Sequence, residues 1–241
     1  MKQHKDTDAL SKITKDRQRT NILRKYEQPA LAFLVRRVPS WINSDMLTAI
    51  GLSGGLIIMA GFVMAACFHR SFLLLCILGF VINWLGDSLD GRLAYFRNKP
   101  RKWYGFSLDL TVDWLTTVLI GCGYIVYVSG GWELLGFGFV VLYGWSMMTA
   151  LLRYKITGIY TIDSSLLGPT EVRIIISLFL LLEIFFKDSI IYSGMAACLI
   201  LFVVNLIDFR KLLETADRRD KKEQDETTLK KEKSQEICQG G

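Results

Sequence analysis

Apolar positions along the chain gather into six long runs, near 47–68, 71–95, 105–128, 132–152, 171–187 and 189–208, separated by short polar breaks. A helix needs roughly 20 such residues to cross the hydrocarbon of a bilayer. Backbone groups in lipid must be satisfied within their own segment. The pattern therefore predicts an all-α integral membrane protein with six transmembrane helices. Because the first run follows a polar stretch of about 45 residues, it is expected to stay as an anchor and not to be cleaved as a leader. Residues 1–18 are polar. From Thr20 to Val38, Ile22, Leu23, Tyr26, Leu31, Phe33, Leu34, Val35 and Val38 are interspersed with arginines and lysines. This predicts an N-terminal amphipathic surface helix, broken or bent near Pro29, in preference to a solvated basic linker. Past Arg210 the chain is charged and poor in apolar residues, which predicts a short helix fraying into disorder. Three parts result: a juxtamembrane segment over 1–45, a six-helix domain over 46–209 and a charged tail over 210–241.

Composition narrows the class. Hydrophobic residues make up 51% of the 241, and the mean hydropathy is +0.30, too high for an ordinary soluble domain. Cys67, Cys76, Cys122 and Cys198 lie inside apolar runs, so neither a disulfide framework nor a CxxC zinc or redox site is indicated. His4 and His69 are the only histidines, which argues against a histidine metal centre. Basic residues crowd alternate connections. The first segment holds Lys12, Lys15, Arg17, Arg19, Arg24, Lys25, Arg36 and Arg37. The break after the second run holds Arg97, Lys99, Arg101 and Lys102, and that after the fourth holds Arg153 and Lys155. The tail carries Arg210, Lys211, Arg218 and Arg219. The other three breaks hold Arg70, no basic residue, and Lys187. The positive-inside rule then places both termini in the cytoplasm. The net charge of +6 reads as this bias plus attraction to anionic lipid, and nucleic acid is not an expected partner.

Four aspartates stand at the polar ends of the second and third runs, where a carboxylate is costly and usually has a task. Asp87 and Asp90 are three residues apart, and Asp109 and Asp113 four apart, so each pair shares one helix face. Two such helices joined by a short loop are expected to be antiparallel neighbours that point four carboxylates into one pocket. Hard divalent cations favour such oxygen ligands. Two other readings weigh against this one: helix ends ion-paired with Arg92, Arg97, Lys99, Arg101 or Lys102, and an ion or proton pathway in a transporter. The clustering at one end disfavours transport, which spreads acids across membrane depth. Trp41 suits the membrane interface, and Ser44 or Asp45 can cap the first span. Gly51, Gly54, Gly55 and Gly61 in the first span, and Gly121, Gly123, Gly136, Gly138 and Gly144 further on, read as close-packing positions.

The segment Asp87-Ser88-Leu89-Asp90-Gly91-Arg92-Leu93-Ala94, followed by Gly105-Phe106-Ser107-Leu108-Asp109-Leu110-Thr111-Val112-Asp113, resembles the signature of the CDP-alcohol phosphotransferase family. That signature is Asp-x-x-Asp-Gly-x-x-Ala-Arg, a spacer, and Gly-x-x-x-Asp-x-x-x-Asp. Only the arginine after the alanine departs, since Tyr95 stands there, with Arg92 and Arg97 nearby to supply charge. The resemblance implies two Mg2+ or Mn2+ ions held by Asp87, Asp90, Asp109 and Asp113, with Asp113 as the catalytic base. It implies nucleotide contacts at Gly91, Ala94 and Gly105, for which helix packing is the plain alternative. Thr48 would join them from the family's Pro-Asn-x-x-Thr entry; here Ser44 replaces the proline and Asp45 the asparagine. The implied reaction transfers a phosphatidyl group from CDP-diacylglycerol to a small polar alcohol and releases CMP. Arg153, Lys155, Arg173 and Arg210 are candidates for clamping an inositol phosphate or another polyol phosphate, with the positive-inside rule as the plain alternative. Glu171 would suit an amino-alcohol enzyme that uses CDP-ethanolamine or CDP-choline, though its position in a first helical turn explains it equally. A catalytically dead homologue is the remaining alternative. The resemblance further implies a homodimer in a bacterial inner membrane, with membrane lipids and a CDP-linked substrate as partners.

Overall fold

The structure, a computed structural model, describes residues 24–158 and 169–239, with side chains over 27–158 and 169–228. The predictions made for the first polar residues, for Ile22 and Leu23, and for Lys12 to Arg19 lie outside the described residues. Every regular element among those described is helical: α1 (Arg24–Arg37), α2 (Ser44–Cys67), a 3-10 turn (Arg70–Phe72), α3 (Leu73–Phe96), α4 (Lys102–Tyr127), α5 (Leu134–Thr157), α6 (Pro169–Phe185) and α7 (Ser189–Gln239). Five stretches are long and apolar enough to cross a membrane: Ser44–Cys67, Arg70–Phe96, Lys102–Tyr127, Leu134–Thr157 and Ser189–Thr228. The fifth apolar run forms α6, which is shorter, at 17 residues.

The centre of the bundle is the pairing of α2 with α3. Glycines bring the two backbones together. A Cβ built on Gly54 would sit 2.5 Å from the Asn83 nitrogen, one on Gly79 would sit 2.7 Å from the Gly54 carbonyl oxygen, and one on Gly61 would strike Cys76. Approach this close exposes backbone to backbone, and polar side chains then bridge the pair. Asn83 Nδ2 donates to the Gly51 carbonyl at 3.0 Å, and the Cys76 thiol donates to the Ile58 carbonyl at 3.3 Å. Helix α2 packs on α4 through its other face.

This arrangement corrects one expectation. Helices α3 and α4 follow one another across a short loop, yet they do not pack along their lengths; α2 packs against each of them instead. The two aspartate helices thus form the sides of a cleft, and Thr48 and Gly51 of α2 lie in its lining.

The remaining helices are held by polar clamps and aromatic contacts. Buried Asn205 on α7 donates to the Leu142 carbonyl at 2.8 Å and accepts from Ser146 of α5 at 2.5 Å. Trp145 meets Phe202 and Phe209 edge-on. Helix α1 runs unbroken through Pro29. It buries Leu31 and Val35 against Leu47, Leu89 and Leu93, and Glu27 accepts from Trp84 Nε1 and from Thr170 Oγ1, each at 3.3 Å.

Two local expectations also change. Asn43, not Ser44 or Asp45, is the N-cap residue of α2, and it makes no side-chain cap bond. Ser44 instead donates to the Asp90 carbonyl at 2.8 Å, and Asp45 pairs with Arg101. Thr170 lies inside α6 and donates to Glu27. The tail does not fray soon after Arg210, because α7 continues without a break to Gln239. Ion pairs one turn apart support it, Lys221 with Asp217 at 2.7 Å and Arg219 with Glu223 at 2.8 Å. Arg219 also donates to the carbonyls of Lys155 and Ile156, which ties the tail to the last turn of α5.

Candidate functional site

Asp87 and Asp90 lie in the last two to three turns of α3, and Asp109 and Asp113 lie one turn apart in the first half of α4. The structure brings three of the four together: ligand oxygens of Asp87, Asp109 and Asp113 lie within 4.8 Å of one another. Each of these three carboxylates is half-buried. Asp90 is 7% exposed and lines the same cleft, but its Oδ2 accepts a 2.6 Å hydrogen bond from Thr48 Oγ1 and its Oδ1 faces its neighbour's N–H at Gly91. Asn83 and Val112 complete this part of the lining. Like charges so close repel one another, and the repulsion grows as water is excluded. A cation meets the cluster: Arg173 of α6 reaches Asp87 Oδ2 at 2.8 Å, with its side chain 16% exposed.

The donor set consists of carboxylate oxygens, with threonine and asparagine side chains around it, and contains neither sulfur nor imidazole. That chemistry fits hard divalent cations, magnesium and manganese among them. Asp87, Asp109 and Asp113 are placed to hold one ion, and Asp90 borders the same space.

The glycines of the motif differ from those of the helix interfaces. A Cβ on Gly91 or Gly105 would meet nothing within 4 Å, and both positions are exposed. Helix packing therefore does not account for either. A glycine inside a helix costs about 0.5–1 kcal/mol relative to alanine, and here no contact among the described residues returns it. Ala94 is half-buried on the same turn of α3 as Gly91.

The other sequence-predicted residues are dispersed. Arg153 stands 3.7 Å from Asp208, and Lys155 and Arg210 are exposed. Glu171 is buried in the first turn of α6, at 7% exposure. Of these candidates only Arg173 reaches an aspartate of the cluster. Arg97 does not fill the role left open by Tyr95, because its guanidinium gathers the carbonyls of Val38, Pro39 and Ile42 in the link between α1 and α2. Arg101 is engaged with Asp45 and with the face of Tyr104.

Two polar residues that matter to the site or its frame were not singled out from the sequence. Asn83 sits in an apolar run with no motif around it, and its role emerges only from its bond to the α2 backbone. Glu183 is 2% exposed near the end of α6. It accepts from Tyr127 Oη at 2.9 Å, Asp188 N at 3.1 Å, Ser189 Oγ at 3.1 Å and Ile190 N at 2.9 Å. A glutamate interrupting a leucine-rich run was the available signal.

No protein-family model matches the chain, and no curated protein matches it. The reading of the site therefore rests on its residues and their arrangement.

Proposed function

We propose that the chain is a CDP-alcohol phosphotransferase of phospholipid biosynthesis, transferring a phosphatidyl group from CDP-diacylglycerol to the hydroxyl of a small polar acceptor with release of CMP. The observation that carries this reading is the convergence of Asp87, Asp109 and Asp113, from two helices, to within 4.8 Å. They do so in a cleft that Asp90 also lines and beside two glycines that pack against nothing.

Asp87, Asp90, Asp109 and Asp113 would hold two magnesium or manganese ions. Such ions, when bound, neutralise charge on a diphosphate and align attacking and leaving oxygens. The chain's own groups do the rest. Thr48 fixes the Asp90 carboxylate through its 2.6 Å hydrogen bond. Gly91 and Gly105 let the nucleotide approach the backbone of α3 and α4. Asp113, one turn from Asp109, takes the proton of the acceptor hydroxyl. The acceptor oxygen then bonds to the lipid-side phosphorus. The bond from that phosphorus to the bridging oxygen breaks, and its electron pair leaves with CMP. Arg173, already at the cluster, favours an acceptor that carries phosphate, such as inositol phosphate or another polyol phosphate. A second reading, an amino-alcohol enzyme, is favoured by the buried Glu171, two residues from Arg173, which would face an ammonium.

The frame we propose has six spans. Helix α6 is about 26 Å long at 1.5 Å per residue, close to the roughly 30 Å hydrocarbon thickness. Both termini and the cleft then face the cytoplasm, α1 lies at the membrane surface, and the enzyme works as a homodimer in a bacterial inner membrane.

The test is CMP release by purified protein with CDP-diacylglycerol and magnesium. The acceptor panel is inositol phosphate, glycerol phosphate, inositol and serine, with CDP-ethanolamine and CDP-choline plus diacylglycerol run alongside. CMP release that requires one acceptor supports the reading. No release with any pair, from folded protein that binds manganese, overturns it.

A further inference from the structure

We infer that Arg173 is a built-in counter-cation of the aspartate cluster, which neutralises Asp87 and competes with a divalent cation for it. The inference rests on the reading of the cluster as a divalent-cation site and adds a residue that opposes metal binding.

Three observations carry it. The guanidinium is 2.8 Å from Asp87 Oδ2, with the two side chains 16% and 24% exposed, so little water screens the pair. Asp87 is also one of the three residues whose oxygens converge within 4.8 Å, so a cation among them shares that carboxylate with the guanidinium. Finally, Arg173 is held there from outside the cluster. Helix α6 packs on α3, and Thr170, one turn before Arg173, donates to Glu27, which also receives Trp84 of α3. A long surface arginine would swing away at little cost; here the helix that carries Arg173 packs on α3, and the side chain is only 16% exposed.

The charges oppose each other in a predictable way. Close carboxylates repel, and each cation that joins them relieves part of the repulsion. A guanidinium supplies one positive charge and no ligand atom, whereas a divalent ion supplies two charges and takes oxygen ligands directly. Arginine and metal at one carboxylate also repel one another. Removing the arginine's charge should therefore tighten metal binding while weakening the metal-free protein. A residue that merely positioned Asp87 would have the reverse effect on metal affinity.

The test is manganese affinity by titration of purified full-length protein, with thermal melting in the absence and presence of manganese. The variants are Arg173→Gln and Arg173→Lys. Arg173→Gln is expected to bind Mn2+ at least about tenfold more tightly, equal to about 1.4 kcal/mol. It should also melt lower than wild type without metal and gain more from manganese. Arg173→Lys, which keeps the charge, should stay within about threefold of wild type on the same scale. Equal or weaker binding by a folded Arg173→Gln protein, with wild type binding normally, would overturn the inference and leave the metal reading standing. Absence of manganese binding in wild type and variants alike would overturn both.

Discussion

The molecule buries acidic side chains at two ends of one bundle and treats them in opposite ways. Near the end of α6, Glu183 collects four donors: a tyrosine hydroxyl, a serine hydroxyl and two backbone N–H groups at the start of α7. Its charge is spread over bonds that close the turn between α6 and α7 and tie in the end of α4. At the other end, about 21 Å along α4 from Tyr127 at 1.5 Å per residue, Asp87, Asp109 and Asp113 crowd within 4.8 Å, with Arg173 at Asp87. A carboxylate with a full set of donors stabilises a fold. Carboxylates facing one another raise its energy unless a cation is recruited. The comparison separates an acid that the fold satisfies with donors from acids that it leaves crowded together.

Substitution can break that contrast. The largest effect expected is on turnover: Asp113→Asn should lower CMP release by about 10²–10⁴-fold, the range for a lost general base. It should leave thermal stability unchanged or raised, since one repelling charge is gone. A stability loss with turnover retained would place Asp113 among the structural acids. Next is Glu183→Ala, which leaves buried donors unpaired and should cost about 3 kcal/mol in stability, while CMP release per folded molecule stays near wild type. Loss of activity without loss of stability would join the two ends.

Smaller effects sharpen the same contrast through glycine. Gly54→Ala drives a Cβ onto the α3 backbone and should destabilise by about 1–3 kcal/mol, as overpacking does. Gly91→Ala meets no neighbour, so it should stabilise α3 by up to about 1 kcal/mol while turnover falls through lost approach of the nucleotide. Melting temperatures beside CMP release separate the two. Unchanged turnover in Gly91→Ala would leave that glycine without a role in binding.

Much of this was legible in the sequence because its signals are local. Runs of about 20 apolar residues mark spans whatever the fold, and five of the six runs form helices of that length. Separations of three and four residues put the aspartates on common faces before any packing is known. Partners that depend on which helices touch were not legible. Nothing local says that α2 packs against both α3 and α4, that Asp90 bonds to Thr48, or that Arg173, alone among four basic candidates, reaches Asp87. The tail was misread for a different reason. Low apolar content argues against a packed core, but lysine, arginine and glutamate are good helix formers. Ion pairs one turn apart and the clasp of Arg219 on α5 support α7 beyond the apolar stretch that ends at Leu213. Pro29 does not break α1, although a proline inside a helix removes one backbone hydrogen bond.

The most direct test of the central claim is a count of bound manganese by electron paramagnetic resonance, on wild-type protein and on the double variant Asp87→Asn/Asp113→Asn, with folding of each checked by thermal melting. The account predicts saturable binding of two ions per chain in wild type and loss of that binding in the double variant. No saturable binding in wild type, or equal binding in the folded double variant, would contradict it.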